Sequence, residues 1–451
     1  MKTLDINKAQ QFVAEGMLLS AEERAQIQQQ RLRELVAYSR ENSPYFAKLY
    51  ADLPEDFTLT DLPITEKSTL LENYNDWVTD RKLNLDDVLE YVGRDASLAN
   101  ELLHGKYSAL RTSGSSGNPL PMVRDDHRNK IHGQLIAQRL CGQMDPDFLN
   151  IRKNKVATVI HTSNGASSYE AAKRMIAANP GYEHNFLCLS VLDNIEHIVD
   201  ELNKFKPDSM TGYPSVLTQL AVEQQKGNLH INLKALASSA EMLSEENFYL
   251  LQKAFNCPVA NNYCMTEGGE IAMTHNCPHL HLNEDWIIVE PVGKDKQPLG
   301  DTEEWSEGIL VTDLSNYIQP IIRYYVNDVV RIKRESLECC PLPQLEIRGR
   351  VFPTYTIAGK TFTAAALVTK AEVWPRLTRY QFVQTDDNTL EVRGTCQSGF
   401  NLDEVLGSLC QQIKTLFIEN NTPEAQVVWS DKPLIPNKQG GKIPAYIKLE
   451  Q

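Results

Sequence analysis

A chain of 451 residues with 42% apolar and 23% charged side chains has room for a large core and the balance of an ordinary globular protein. Its formal net charge of −14 argues against a nucleic-acid-binding surface, so any phosphate it handles must be met by local donors or a metal ion. Residues 1–24 contain no continuous apolar run of signal-peptide type, and no stretch reaches the ~18 apolar residues of a membrane span. The nine cysteines form no stapled-scaffold pattern, which points to a cytoplasmic chain with reduced thiols.

Taken in order, residues 20–50 read as helix. Ser20 and Glu23 have capping-box spacing, and Leu32, Leu35, Val36 and Tyr38 fall near helical periodicity. Residues 58–67 read as turns leading into another helix. Residues 107–124 read as strand, loop and strand around Thr112-Ser113-Gly114-Ser115-Ser116-Gly117-Asn118-Pro119, and 128–142 as a helix. That uncharged run of glycines and hydroxyls can turn backbone N–H groups toward an anion, although no Gly-Lys-Ser/Thr follows as in a Walker loop.

From residue 155 the pattern is rhythmic. Residues 155–160 form an apolar run followed by a loop that begins at His161. Helical stretches at 195–205, 216–225 and 245–255 alternate with strand-like 209–212, 233–239 and 258–263. Such alternation predicts parallel sheet, with the sites in the loops after the strands. The texture turns to β from 286, with strands near 286–290, 308–312 and 328–332 suggesting a barrel-like or antiparallel subdomain. Residues from about 350 read as a small α+β domain with strands at 380–384 and 390–393, a helix at 402–419, and a terminal loop bearing Lys438 and Lys442. The expected fold class is a large α/β N-terminal domain (1–349), with parallel sheets plus a β-rich subdomain, followed by a small α+β C-terminal domain (350–451).

Five short motifs stand in order: the 112–119 loop; Ser238-Ser239-Ala240-Glu241 with Asn262-Tyr263-Cys264-Met265-Thr266-Glu267; Arg323-Tyr324-Tyr325-Val326-Asn327-Asp328; Gly349-Arg350; and Gly440-Gly441-Lys442. Each is weak alone. Together they resemble the adenylate-forming superfamily, which activates carboxylic acids with ATP. Gly212-Tyr213-Pro214-Ser215, the 238–241 segment and Cys277…His281-Leu282-Asn283-Glu284-Asp285 look most like its phenylacetate–CoA ligase branch. The resemblance covers nearly the whole chain.

This resemblance implies roles. Thr112, Ser113, Gly114, Ser115, Ser116 and Gly117 would hold the β- and γ-phosphates. Thr266 would reach the α-phosphate and Glu267 would hold Mg²⁺. Tyr263, with Ala240 and Glu241 opposite and Asn262 beside it, would enclose the adenine. Asp328 would accept from the ribose hydroxyls, Arg350 would lie at the ribose and the domain junction, and Lys442 would place a cation on the transition state. Tyr213, Pro214 and His161 are candidates for the acid pocket. Cys277, His281, Cys339 and Cys340 suggest a structural Zn²⁺ site, with His275 or His279 as substitutes.

The implied activity is acyl-adenylate formation from an aromatic or apolar acid, then transfer to CoA. Carrier-protein thiols and amines stay open as acceptors, as does a non-catalytic nucleotide-binding scaffold, and homodimerisation is undecided. No nucleic-acid or membrane partner is expected. Two departures from the family pattern stand out: Leu120 where many members carry lysine, and Phe352-Pro353 where the hinge usually has an aspartate. A proline and an aromatic rotate poorly, which places thioester formation in question.

Overall fold

The computed structural model describes residues 4–94, 101–111, 120–162, 166–300, 303–348, 354–372, 377–396, 400–435 and 445–449. The predicted 112–119 loop, Arg350, Phe352, Pro353, Lys438 and Lys442 lie outside these residues.

The N-terminal part is helical: α1 (Ile6–Gly16), α2 (Ala21–Asn42), α3 (Pro44–Leu49), α4 (Lys67–Glu72), α5 (Tyr74–Trp77) and α6 (Leu85–Gly93). The capping box at α2 is present, with the Glu23 backbone N–H donating to Ser20 Oγ at 3.2 Å and the Ser20 N–H to Glu23 at 2.8 Å. Trp77 is fully buried, and its indole N–H donates to the Pro320 carbonyl at 2.7 Å. Thr65 forms a parallel bridge with Tyr324, so this helical part is stitched to the body by backbone bonds.

Strands β1 (Ser108–Arg111) and β2 (Pro121–Arg124) pair antiparallel with Arg111 opposite Pro121, as expected on either side of the Ser/Gly loop. Helix α7 (Asp126–Gln134) follows. The helix predicted to Gly142 instead changes winding, continuing as π-helix over Leu135–Leu140 and 3₁₀ over Cys141–Gln143.

Then come β3 (Val156–Ile160), α8 (Ser167–Ala177), β4 (Phe186–Ser190), α9 (Ile195–Phe205), β5 (Ser209–Gly212), α10 (Pro214–Lys226), β6 (Ala235–Ser239), α11 (Glu245–Phe255) and β7 (Val259–Met265). The remaining strands of the body are β8 (Gly269–Thr274), β9 (Leu280–Leu282), β10 (Ile287–Val292), β11 (Gly308–Asp313), β12 (Tyr324–Val326), β13 (Val329–Lys333) and β14 (Gln344–Arg348).

The main sheet has nine strands in the order β13-β14-β9-β8-β7-β6-β5-β3-β4. Its β4-β3-β5-β6-β7 half is parallel and packed by α9, α10 and α11, as the alternation predicted. The other half is antiparallel. Of the three strands expected in a separate β-rich subdomain, β13 therefore extends the main sheet together with β14, β9 and β8, which the sequence did not announce, and β10 and β11 join β12 in a small antiparallel sheet beside it. The parallel strands run one way, so the chain leaves β3, β5, β6 and β7 along a single edge.

C-terminal to these, β15 (Thr354–Ile357), β16 (Lys360–Thr363), α12 (Ala364–Glu372), β17 (Leu377–Gln384), β18 (Thr389–Cys396), α13 (Leu402–Glu419), β19 (Gln426–Ser430) and β20 (Tyr446–Lys448) build their own core around Phe362, Phe382, Leu406 and Phe417. Asn420 at the end of α13 meets Asn194 at the start of α9: the Asn194 backbone N–H donates to Asn420 Oδ1 at 2.8 Å, and the Asn420 amide to the Leu192 carbonyl at 3.3 Å. No helix among the described residues is long and apolar enough to cross a membrane.

Candidate active site

The parallel strands deliver most of the predicted residues to one edge. His161 follows β3, Tyr213 and Pro214 follow β5, Ala240 and Glu241 follow β6, and Thr266 and Glu267 follow β7. Pro214 is buried at the first turn of α10, where its missing N–H costs nothing. The Tyr213 phenol is hydrogen-bonded by the His161 backbone and the Ser168 side chain, and burial pushes it up to about 12. Burial, with Lys370 and Arg111 nearby, pulls His161 down to about 4 and so keeps it neutral. Ala240 has φ +72°, a conformation that costs a non-glycine residue about 1–3 kcal/mol and that gathers at functional turns.

Glu241 also caps a helix. Its carboxylate accepts from the Ser215 backbone N–H at 2.9 Å and from the Ser215 hydroxyl at 3.0 Å, capping the start of α10. Burial nonetheless pushes its pKa up to about 7 from 4.5. The folded chain then binds a proton that the unfolded chain has released, so this stabilisation is full below pH 4.5 and is lost as pH rises through about 7. Glu241→Gln is expected to flatten the decline in Tm between pH 5 and 8, read by thermal unfolding. An unchanged slope would mean that Glu241 does not titrate there.

The nucleotide candidates converge on β7, β8 and β12. The Tyr263 hydroxyl donates to Asp328 Oδ2 at 2.6 Å, and burial followed by the Asp328 charge raises that phenol well above 10. The Tyr324 hydroxyl donates to Glu267 Oε1 at 3.2 Å. Burial raises the Glu267 carboxyl and Asp328 adds to the rise, while Lys67 and the Tyr324 hydroxyl lower it. Lys67 is itself pulled down by burial and pushed back up by Glu267. Asn262 is buried, and its Oδ1 has no hydrogen-bond partner among the described residues, which leaves an acceptor for an amino group.

Lys67 and Tyr324 were not among the sequence candidates. Tyr324 sits inside a quoted motif, but nothing local marks Lys67. It reaches Glu267 because Thr65, two residues before it, bonds into β12: the Tyr325 backbone N–H donates to the Thr65 carbonyl at 2.9 Å.

At the antiparallel end, β14 pairs with β9 so that Gln344 faces His281. This folds the segment before β14 onto Cys277. The ligand atoms of Cys277, His281 and Cys339 lie within 4.8 Å of one another. Cys340, expected as a fourth member, is not in this group, although its side chain hydrogen-bonds His281. With His275 and His281 it lines a small neighbouring cavity. His281 Nδ1 bonds the Leu342 carbonyl at 2.9 Å, leaving Nε2 to face the sulfurs. Burial opposes ionisation of Cys277, but hydrogen bonds from His281 and Cys339 pull its thiol down to about 7.

No protein-family model matches the chain. CapK of Staphylococcus aureus is 28% identical over 145 residues, which is 32% of this chain and 30% of that protein. Phenylacetate-coenzyme A ligase of Thermus thermophilus is 22% identical over 389 residues, 81% of this chain and 79% of that ligase. The crystal structure of 2-hydroxyisobutyryl-CoA ligase with 2-HIB-AMP and CoA, in its thioesterification state, superposes with a TM-score of 0.58. Identity there is 17%, over 96% of this chain and 91% of that one. The same ligase with R3-HIB-AMP in the postadenylation state gives 0.56 at 16% identity, over 96% and 91% of the two chains.

The fold is that of 2-hydroxyisobutyryl-CoA ligase.

Within this fold, Asp328 and Tyr263 are in direct contact, and Glu267 is close enough to Asp328 for the two charges to interact. His161, Tyr213 and Glu241 form a second group one strand over. Those two groups lie at adjacent ends of the parallel strands.

Proposed function

We propose that this chain activates a small carboxylic acid with ATP and transfers the acyl group to CoA. The supporting observation is the pairing of Tyr263–Asp328 with Tyr324–Glu267–Lys67 at the carboxyl edge of the parallel strands. On this reading a carboxylate oxygen of the acid attacks the α-phosphorus. The bond to the bridging oxygen breaks, and pyrophosphate leaves with its electron pair. In the second step a thiolate attacks the acyl carbon and AMP departs.

Asp328 accepts from the ribose hydroxyls, since a carboxylate can take two donors while still bonded to Tyr263. The Asn262 carbonyl oxygen meets the adenine amino group. Glu267 fits a hard cation, being a half-buried carboxylate whose ionisation a positive neighbour favours. Mg²⁺ held there would neutralise phosphate charge. The 112–119 loop is assigned to the β- and γ-phosphates, Thr266 to the α-phosphate, and Arg350 to the ribose and the domain junction. Lys442, on a C-terminal domain beginning near residue 350, is assigned to the transition state, where a cation is most effective as charge develops. Tyr213, Pro214 and neutral His161 would line the pocket of an aromatic or otherwise apolar acid.

Acid-dependent exchange of labelled pyrophosphate into ATP tests the first step, and CoA consumption tests the second. Exchange with at least one acid of a broad panel is expected, and its loss in Lys442→Ala with ATP binding retained. No exchange with any acid would favour a nucleotide-binding scaffold, and exchange without CoA consumption would favour a carrier-protein thiol or an amine as acceptor.

We also assign Cys277, His281 and Cys339 to a structural Zn²⁺, for which two thiols and an imidazole are suitable donors. The metal would tie β9 to the segment before β14. Protein purified without chelator is expected to contain about one zinc per chain, and Cys277→Ser to lose it together with several degrees of Tm. Zinc-free wild-type protein would refute this assignment.

A further inference from the structure

We propose that a buried charge network on α7, β8 and β11, built from Arg128, His132, Glu270 and Asp313, is a positioning device that holds the Thr266–Glu267 turn in register with the nucleotide. This rests on the function proposed above and names residues that lie outside the motifs.

The network lies directly beneath that turn. Arg128 is 1% exposed and Asp313 is fully buried. The Arg128 Nε donates to Asp313 Oδ2 at 2.7 Å. The His132 ring spans two carboxylates: Nδ1 is hydrogen-bonded to Glu270, while Nε2 lies 3.0 Å from Ser315 Oγ and 3.4 Å from Asp313 Oδ2. Ser315 in turn donates to Asp313 Oδ1 through its hydroxyl at 2.6 Å and its backbone N–H at 3.0 Å.

Two guanidinium groups carry the network up to the turn. Arg124 Nη2 donates to the Thr266 carbonyl at 3.1 Å, and Arg128 Nη2 to the Glu267 carbonyl at 3.4 Å. The turn also rests on the imidazole. Gly269 has φ +69°, and a Cβ there would lie 2.1 Å from His132 Cε1 and 3.0 Å from Arg128 Nη2. Only glycine permits this approach, so the ring sets the height at which β8 starts, two residues after Glu267.

The physical consequence follows from the energetics of buried charge. Arg128 and Asp313 are desolvated and depend on each other, so neither can move without exposing the other unpaired. A turn bonded to such a pair is stiffer than one held by solvent-exposed contacts. Displacing a reacting group by about 1 Å costs on the order of 100-fold in rate. Stiffness here is thus worth more to the chemical step than to binding of the acid, whose pocket lies across β5 and β6.

The test uses the full-length chain with His132→Gln, which keeps one donor in the cavity, and Asp313→Asn as a second variant. Pyrophosphate exchange is measured against ATP, Mg²⁺ and acid, and amide hydrogen exchange is followed at residues 265–270. Both variants are expected to lower kcat for exchange 10- to 100-fold and to raise the Mg²⁺ requirement. The KM for the acid should stay within about twofold, and residues 265–270 should exchange about 10-fold faster while α9–α11 are unchanged. Wild-type kcat, or protection at 265–270 equal to wild type in a folded variant, overturns the proposal. If the wild-type chain itself supports no exchange with any acid, the ATP-dependent function fails, and the protection of 265–270 still decides whether the network holds the turn.

Discussion

Glu267→Gln is expected to reduce acid-dependent pyrophosphate exchange by about 100- to 1,000-fold, the scale seen when one charge-stabilising group is removed from a reacting centre. Stability should respond in the opposite sense. Burial raises the Glu267 carboxyl above its ordinary value, so at pH 8 the folded chain carries a charge that solvent would hold more comfortably. The amide removes that cost and can still accept from Tyr324, which now bonds Oε1 at 3.2 Å. Thermal unfolding without nucleotide should therefore give a Tm equal to or above wild type, while the upward shift of Tm with Mg²⁺ and ATP shrinks. A variant that is both less stable and fully active would remove Glu267 from the site.

Arg323→Met is expected to destabilise the chain by about 3–5 kcal/mol, the usual result of stripping one partner from a buried ion pair. Arg323 donates to both oxygens of Glu290 at 3.0 Å and to the Leu62 carbonyl at 2.5 Å. Its own carbonyl accepts from the Thr65 backbone N–H at 3.0 Å. Glu290, already pushed up by burial, would lose the cation that keeps it ionised. The same contacts hold the segment that carries Lys67 to Glu267, so the variant should also raise the KM for ATP in conditions where it remains folded. Denaturant titration measures the first effect. The double variant Arg323→Met/Glu290→Leu should recover a large part of it, because no charge is then left unpaired. A loss below about 1 kcal/mol would show that the pair is unimportant.

The parallel half of the main sheet was legible because its signals are local. Buried strands such as Val156–Ile160 are short apolar runs, and α9–α11 carry helical periodicity between them, so boundaries differ from the expected ones by only a few residues. Strand β4 lies at the sheet edge and is mostly half-buried, and it had no comparable signal. Beyond residue 269 of the body, β10, β11 and β13 could be read as strands, but neither their partners nor the sheets they join. Pairing β14 with β9 connects residues some 60 positions apart, and nothing within either strand encodes that choice.

The candidate site divides along the same line. Tyr263, Glu267 and Asp328 could be proposed from the chain alone because they stand in motifs that resemble a known family. Their arrangement could not. Glu241 caps α10, and Cys340, although bonded to His281, is not one of the three residues whose ligand atoms cluster. Arg124, Arg128, His132 and Glu270 belong to none of the motifs, and only the approach of β7, β8 and β11 shows Arg128 and His132 buried and all four bonded to the elements around them.

What the sequence by itself determined was the alternation of strands and helices, and hence the edge at which the candidate residues gather. Tertiary structure alone decided which charges face one another. A carboxylate or guanidinium has no preferred partner along the chain, and its energy depends on how far folding strips away water and what it then places within 3 Å.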